Sequence, residues 1–240
     1  KKRAPRNRTI VLSDSDWERL RSQLSGLGKG DERTQGERLT EPLEGIIHGR
    51  YEDWLPRLPE AFVDLLFLDP PYNMNKSFNG WKFSRQSESE YTTWLNEMLE
   101  ALKPCLKADA TIYICGDWRS SHSIFEAASQ HFVVRNRITW EREKGRGSKS
   151  NWKNSSEDIW FCTVGEKYCF NVDQVKLRRR VIAPYTNKDG RPKDWEKTEA
   201  GNFRDTHPSN LWTDISIPFW SMAENTDHPT QKSEKSLAKL

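Results

Sequence analysis

Phe62-Val63-Asp64-Leu65-Leu66-Phe67-Leu68-Asp69-Pro70-Pro71-Tyr72-Asn73 decides how the rest of this chain is read. Its first seven residues form a short, nearly continuous apolar run, the pattern of a buried parallel strand. Two prolines then stop the strand, because neither can donate to a sheet ladder and the first also restricts Asp69 before it. A carboxylate, stiff turn carbonyls and an aromatic ring are thus placed at the carboxyl end of a strand, where open α/β sheets bind their ligands.

This layout suits methylation of an exocyclic base amine, a poor nucleophile whose lone pair is delocalised into the ring. Acceptors for its two N–H bonds, Asp69 and the Pro70 carbonyl, would favour a pyramidal nitrogen with its lone pair aimed at a methyl donor. Tyr72 can stack on a base flipped out of the duplex, with Pro71 stiffening the turn and Asn73 shaping the pocket. Rate enhancement would come from positioning and preorganised polarity, without a covalent intermediate. The bland alternative is a strand-ending turn with a surface tyrosine.

Asp69-Pro70-Pro71-Tyr72, with His228-Pro229-Thr230-Gln231-Lys232 far downstream, resembles the beta class of bacterial DNA amino-methyltransferases. In that family the tetrapeptide, a DNA-recognition region and a His-Pro-Thr-Gln-Lys-Pro segment follow in this order. The resemblance covers roughly residues 46 to 240. It implies a Rossmann-like α/β methyltransferase sheet, mostly parallel with an antiparallel edge hairpin, and S-adenosyl-L-methionine (AdoMet) as cofactor. It also places Asp69, His228, Thr230, Gln231 and Lys232 near that cofactor, Thr230 capping a helix whose free N–H groups meet the methionine carboxylate. The implied target is adenine N6 in duplex DNA, since Asp-led tetrapeptides are more common among adenine enzymes; cytosine N4 is the alternative.

Two positions depart from the family pattern. Arg50 follows Gly49 where an acidic residue is usual, and Ser233 stands in place of a second proline. The glycine-rich turn that cradles AdoMet in the family is not found, and the chain reads as lacking that C-terminal portion, supplied by the same chain or by a partner. The resemblance admits a homodimer and a cognate restriction endonuclease as protein partners. The rival readings are a non-catalytic DNA-binding subunit that keeps the methyltransferase shell, and an RNA base methyltransferase.

The 240 residues allow one catalytic domain with a small added region. Hydrophobic residues make up only 35%, so eleven tryptophans must supply much of the burial. No apolar run approaches a membrane span and no signal peptide is visible, so a cytoplasmic protein with no membrane partner is expected, and the resemblance implies that it is nucleoid-associated. Cys105, Cys115, Cys162 and Cys169 form no Cys-x-x-Cys pair, and buried free thiols are expected with no metal site. The net charge of +3 hides an asymmetry: residues 135–153 and 176–193 hold fourteen basic against three acidic residues, leaving −8 for the remainder. That is the footprint expected for a polyanion.

In chain order, residues 1–45 read as a basic arm, a helix over Ser13–Ser25 and a linker. The helix would present Trp17, Leu20, Leu24 and Leu27 on one face, with Gly26, Gly28 and Gly30 ending it. Starting on Lys rather than Met suggests a cut N-terminus. Residues 46–165 form the catalytic core. It begins with a strand at Ile46-Ile47-His48 and a helical turn through Tyr51 and Trp54. After the Asp69 strand comes a polar loop through Lys76, Asn79, Gly80 and Trp81 that is long enough to act as a flap. A helix follows, boxed by Ser87 and Glu90, striped by Tyr91, Trp94, Leu95, Met98, Leu99 and Leu102, and stopped by Pro104. The run Ala110–Cys115 is a second buried strand, with Asp117 as N-cap of the next helix. An antiparallel hairpin follows, made of 132–140 and 157–164. Its long basic connection, residues 141–156, offers Lys144, Arg146, Lys149, Trp152 and Lys153 to DNA phosphates. Residues 166–220 read as a target-recognition region containing Arg178, Arg179 and Arg180, with a strand from Asn210 returning to the main body. Residues 221–240 begin the cofactor half with a helix whose apolar face starts at Leu237 and Leu240.

Overall fold

The computed structural model describes residues 5–26, 38–39, 45–78, 81–142, 147, 149–182, 185–226, 228 and 230–240. Ser13 starts helix α1 (Asp14–Ser22) through a reciprocal box with Asp16. The apolar face expected here is not buried: α1 contains no buried residue, and Trp17 is 51% exposed. The helix also stops early, because Leu24–Gly26 forms strand β1, which pairs in parallel with β2 (Ile46–His48). Leu27, Gly28 and Gly30 lie outside the described residues. Helix α2 (Tyr51–Trp54) follows as the helical turn expected through Tyr51 and Trp54.

The apolar run becomes β3 (Val63–Leu68). After it come a small hairpin, β4 (Lys76–Phe78) with β5 (Trp81–Phe83), then α3 (Glu88–Leu102) and β6 (Leu106–Gly116). The polar loop expected as a flap is therefore partly ordered as strand, with Asn79 and Gly80 outside the described residues. Ser87 Oγ accepts from Glu90 N at 3.2 Å while Glu90 Oε2 accepts from Ser87 N at 2.9 Å, the box read from sequence. Replacing Ser87 by alanine removes one of these bonds at an exposed helix end and should cost about 1 kcal/mol. A fall in the urea midpoint with an unchanged m-value would show it; an unchanged midpoint would contradict it.

Helix α4 (Ser121–His131), strand β7 (Val133–Glu141) and strand β8 (Ser156–Thr163) complete the core. The main sheet has the order β12–β7–β8–β6–β3, where β12 is Leu211–Trp212. β3 and β6 are parallel, as the α3 crossover between them requires. β8 pairs antiparallel with both β6 and β7, so it alone runs against the other four strands. The expected hairpin forms this side of the sheet, and β12 adds one short parallel strand outside it, the return to the main body read at Asn210. This is a mixed α/β sheet with mostly parallel strand directions.

The centre of the sheet is buried on both faces, which is why its strands read as unbroken apolar runs. Ala110, Ile112 and Ile114 point to the α3–α4 layer, against Tyr91, Leu95, Met98, Leu99 and Ile124. Tyr113 and Cys115 point the other way, against Ile138, Trp140, Ile159, Trp212, Ile215 and Ile217. Gly116 is needed where β6 passes α4, since a Cβ there would collide with Ile124 Cδ1. The Asp69 strand is less buried than its sequence implies. Leu65 is 48% exposed, because among the described residues β3 has β6 as its one sheet neighbour.

Three other expectations are corrected. Helix α4 starts one turn later than expected, with Ser120 at its N-cap position; the Ser120 side chain makes no capping bond, and Asp117 accepts from Ser120 N at 2.9 Å and Ser120 Oγ at 2.7 Å, capping the turn ahead of the helix. The last helix, α5 (Glu234–Ala238), starts at Ser233 rather than Thr230, because Ser233 Oγ accepts from Ser236 N and forms the cap. Leu240, just past this helix, reaches the second core, but Leu237 within it is 47% exposed. Cys105, Cys115 and Cys162 are buried free thiols, whereas Cys169 is exposed.

Residues 177–206 hold a separate antiparallel sheet of order β10–β11–β9, made of β9 (Leu177–Arg180), β10 (Glu196–Thr198) and β11 (Gly201–Thr206). Its strands are short and largely solvent-facing, so the region showed no clear periodicity. Gly201, at φ +125°, closes the tight turn from β10. Among the described residues no helix is long and apolar enough to cross a membrane, and no cluster of three metal-ligating side chains occurs.

Candidate active site

Strand direction assembles the site. β3 and β6 end together, with Leu68 opposite Ile114, so Asp69–Tyr72 and Asp117 emerge at one end of the sheet. β7 ends at this same end. β8, running the other way, begins there: Glu141 faces Ser156, and Trp140 faces Glu157. Arg142 and Glu157 are thereby delivered beside Asp69, although about ninety residues of chain separate Glu157 from it. The turn after β3 is held from below by Tyr91 of α3, whose hydroxyl donates to the Pro71 carbonyl at 2.8 Å.

These ends enclose a cavity of about 280 Å³. Asp69, Pro70, Pro71 and Tyr72 form one wall, with Met74 from the turn after them and Lys76 and Phe83 from the β4–β5 hairpin. Asp117, Arg142, Asn154, Ser156 and Glu157 line the sheet side, with Thr230 and Lys232 from the C-terminal segment. Lys232 Nζ donates to Asp69 Oδ1 at 2.9 Å and to the Tyr72 hydroxyl at 3.2 Å, and lies 3.6 Å from Glu157 Oε1. The Tyr72 hydroxyl donates to Glu157 Oε1 at 2.7 Å. Arg142 pairs with the same oxygen and stacks over Trp140, 5.5 Å from the ring centroid.

Burial, then the Glu157 and Asp69 carboxylates, push the Tyr72 hydroxyl far above the ordinary phenol range. Burial also raises Tyr91, and raises Tyr113 to about 12. All three are held protonated in the fold, whereas an unfolded tyrosine ionises near pH 10. The folded state therefore binds more protons above that value, so stability should fall as pH rises past about 10. Urea midpoints at pH 8 and pH 11 check this; equal midpoints would contradict it. The Lys76 ammonium is shifted downward, by burial first and Arg142 second.

The residues singled out in the sequence divide into three groups. Asp69, Pro70, Pro71, Tyr72, Thr230 and Lys232 converge on the cavity. Asn73 does not line it: its side-chain amide bonds both the N–H and the carbonyl of Gln86, closing the base of the loop that carries the hairpin. Gln231 is also turned away, accepting from Thr226 N and Oγ1 and donating to the Glu224 carbonyl, and the His228 ring lies against Thr230. In the basic connection, Lys144 and Arg146 lie outside the described residues. Lys149 and Lys153 are exposed, and Trp152 is 94% exposed. Arg178 is not an open phosphate ligand, since it pairs with Glu196 at 2.5 Å and approaches Asp205 at 3.7 Å; Arg179 and Arg180 are exposed. Glu157 and Arg142 were missed. Their one sequence signal is a charged residue at each end of the hairpin's long connection.

Residues 63–240 match the N6/N4 family described as DNA methylase. This chain belongs to that family. It is 29% identical over 206 residues to the DNA adenine methyltransferase YhdJ of Escherichia coli (strain K12), an overlap spanning 81% of this chain and 65% of that protein. It is 26% identical over 212 residues to the type II methyltransferase M.BglII of Bacillus subtilis, spanning 82% and 55%. The chain thus spans between about half and two thirds of these curated relatives. A solved structure described as PvuII DNA methyltransferase (cytosine-N4-specific) overlaps 85% of this chain and 65% of its own, at 12% identity and a TM-score of 0.47. Asp69-Pro70-Pro71-Tyr72, one wall of the cavity, lies within the matched residues.

Proposed function

We propose that this DNA-methylase-family chain carries the base-binding and DNA-recognition part of an AdoMet-dependent DNA methyltransferase acting on the N6 amine of a flipped-out adenine. The observation that carries the reading is the convergence of Asp69, Pro70 and Tyr72 on one cavity at the carboxyl end of β3. Asp69 accepts one amine N–H and the Pro70 carbonyl the other, since the neighbouring Pro71 carbonyl is already taken by Tyr91. Tyr72 supplies the wall on which the base stacks, and its protonated hydroxyl is fixed by Glu157. The β4–β5 hairpin and the C-terminal segment contribute side chains to the cavity wall.

AdoMet supplies an electrophilic methyl group on a positively charged sulfur. The donor set suits that charge: Asp69 and Glu157 are carboxylates on the cavity beside the π face of Tyr72. Of the residues first assigned to the cofactor, Asp69, Thr230 and Lys232 have the position to meet it. Gln231 does not, its amide being used within the chain, and five-residue α5 offers no carboxylate site at its start.

Lys149, Trp152 and Lys153 stand on the connection that descends through Asn154 and Ser156 into the cavity, so phosphate contacts there would sit next to the flipped base. The exposed Arg179 and Arg180 on β9 support a reading of residues 166–220 as the duplex-recognition region. Duplex DNA as substrate puts the site of action at the nucleoid, with a second copy and a cognate endonuclease as the protein partners to seek.

The test is nucleoside mass spectrometry on unmethylated DNA incubated with the protein and AdoMet. N6-methyladenine is the expected product. N4-methylcytosine would keep the chemistry and change the base, methylation confined to RNA would change the substrate, and no methylated nucleoside would favour a DNA-binding subunit without catalysis.

A further inference from the structure

Two carboxylates converge on one cationic nitrogen in the cavity. Lys232 Nζ is held 2.9 Å from Asp69 and 3.6 Å from Glu157, with the Tyr72 ring centroid 5.5 Å away. An ammonium in this position resembles an exocyclic amine that has just gained a methyl group. Among the described residues Glu157 is engaged through one oxygen only. Its side chain is 3% exposed, yet Tyr72, Arg142 and Lys232 all approach Oε1. Its other oxygen, Oε2, is buried without a hydrogen-bond partner among the described residues, as is Arg142 Nε. A structural Arg–carboxylate pair tends to engage both oxygens in a fork, and a buried carboxylate oxygen left unpartnered is costly.

We propose that Glu157 is a second catalytic carboxylate: once an incoming base displaces Lys232, Glu157 faces the exocyclic amine opposite Asp69 and stabilises the charge that nitrogen acquires. The proposal rests on the amine-methylation reading above. The amine lone pair forms the new C–N bond while the C–S bond pair stays with sulfur, which becomes neutral. The nitrogen is then an ammonium, and it is neutralised when one N–H proton passes to Glu157 Oε1, the oxygen that Lys232 Nζ approaches at 3.6 Å, and on to solvent. Charge stabilisation by a preorganised carboxylate acts on the transition state more than on the bound base. Arg142 is a positioning residue in this scheme, aiming Glu157 from the end of β7.

The experiment compares wild type with Glu157→Gln, which keeps the shape and the bond to Tyr72 but removes the charge. Single-turnover methyl transfer is measured at saturating duplex and AdoMet, and base capture is measured in parallel by 2-aminopurine fluorescence at the target position. Transfer should fall about 10²-fold, with the fluorescence change and the KM for DNA within about twofold of wild type. Should Glu157→Gln fail to fold, Arg142→Lys serves instead, with transfer falling about 10-fold and base capture retained. Wild-type transfer by the folded variant, or equal loss of transfer and capture, overturns the role of Glu157 alone. A wild-type protein that captures the base but forms no methylated nucleoside overturns the methylation reading, and this role with it.

Discussion

Replacing Asp69 with alanine is expected to lower methyl transfer by at least about 10²-fold while leaving duplex affinity within about threefold of wild type. Asp69 holds the Lys232 ammonium at 2.9 Å and lies 3.2 Å from the Tyr72 hydroxyl, so its carboxylate is the acceptor through which a donor nitrogen is held in the cavity. Alanine removes that acceptor without touching Lys149, Lys153, Arg179 or Arg180, which stand outside the cavity. Its side chain is 30% exposed, so the loss should not unfold the protein. Asp69→Asn is the sharper variant: the amide keeps the volume but can turn N–H groups toward the amine, and its transfer rate should fall as far. Transfer rate and gel-shift affinity, measured on the same preparation, decide the matter. Parallel loss of both would assign Asp69 to folding or to DNA binding instead.

The second large effect concerns the frame that carries the site. Trp140 is 0% exposed at the end of β7, and its Nε1 donates to the Ile215 carbonyl at 2.7 Å. It joins the main sheet to the segment after β12, which carries Ile215 and Ile217 into the second core. Trp140→Ala removes the largest fully buried side chain and leaves a buried carbonyl unpaired, for a cost of about 3–5 kcal/mol. For a chain of this size that is a drop of about 10 °C in Tm, readable by circular dichroism. The same change removes the ring beneath Arg142, so any residual activity should be impaired as well. A Tm within about 2 °C of wild type would mean that this core is not cooperative with the rest.

The elements legible in the sequence are those whose signals are local. The Ser87–Glu90 box and the Tyr91–Leu102 stripe marked α3 because capping and a 3.6-residue period are properties of neighbouring residues. The apolar run before Asp69 and the two prolines after it marked a strand and its stop. Readings failed where a local signal had a local competitor. Thr230 and Ser233 are both good caps, and Ser233 won because Gln231, ahead of it, folds back onto Thr226 and Glu224. Asp117 does accept from the backbone N–H three residues on, but the turn it caps stands ahead of α4, whose N-cap position is Ser120. The stripe on α1 promised burial that no facing element supplies among the described residues.

The sequence by itself determined the chemistry on offer: an acid, two prolines and a tyrosine at the end of a strand, and a distant lysine in a family-specific segment. Which groups meet was decided only by tertiary structure. β8 runs against its neighbours, and that reversal brings the start of one strand to the end of the others, setting Glu157 and Arg142 beside Asp69. Lys232 joins them because the stretch before α5 is tied down by Gln231, with Asp214 holding Lys235 and Lys239 of the helix end. Strand direction and long-range docking depend on how whole faces are buried, and a face is a property of the folded chain.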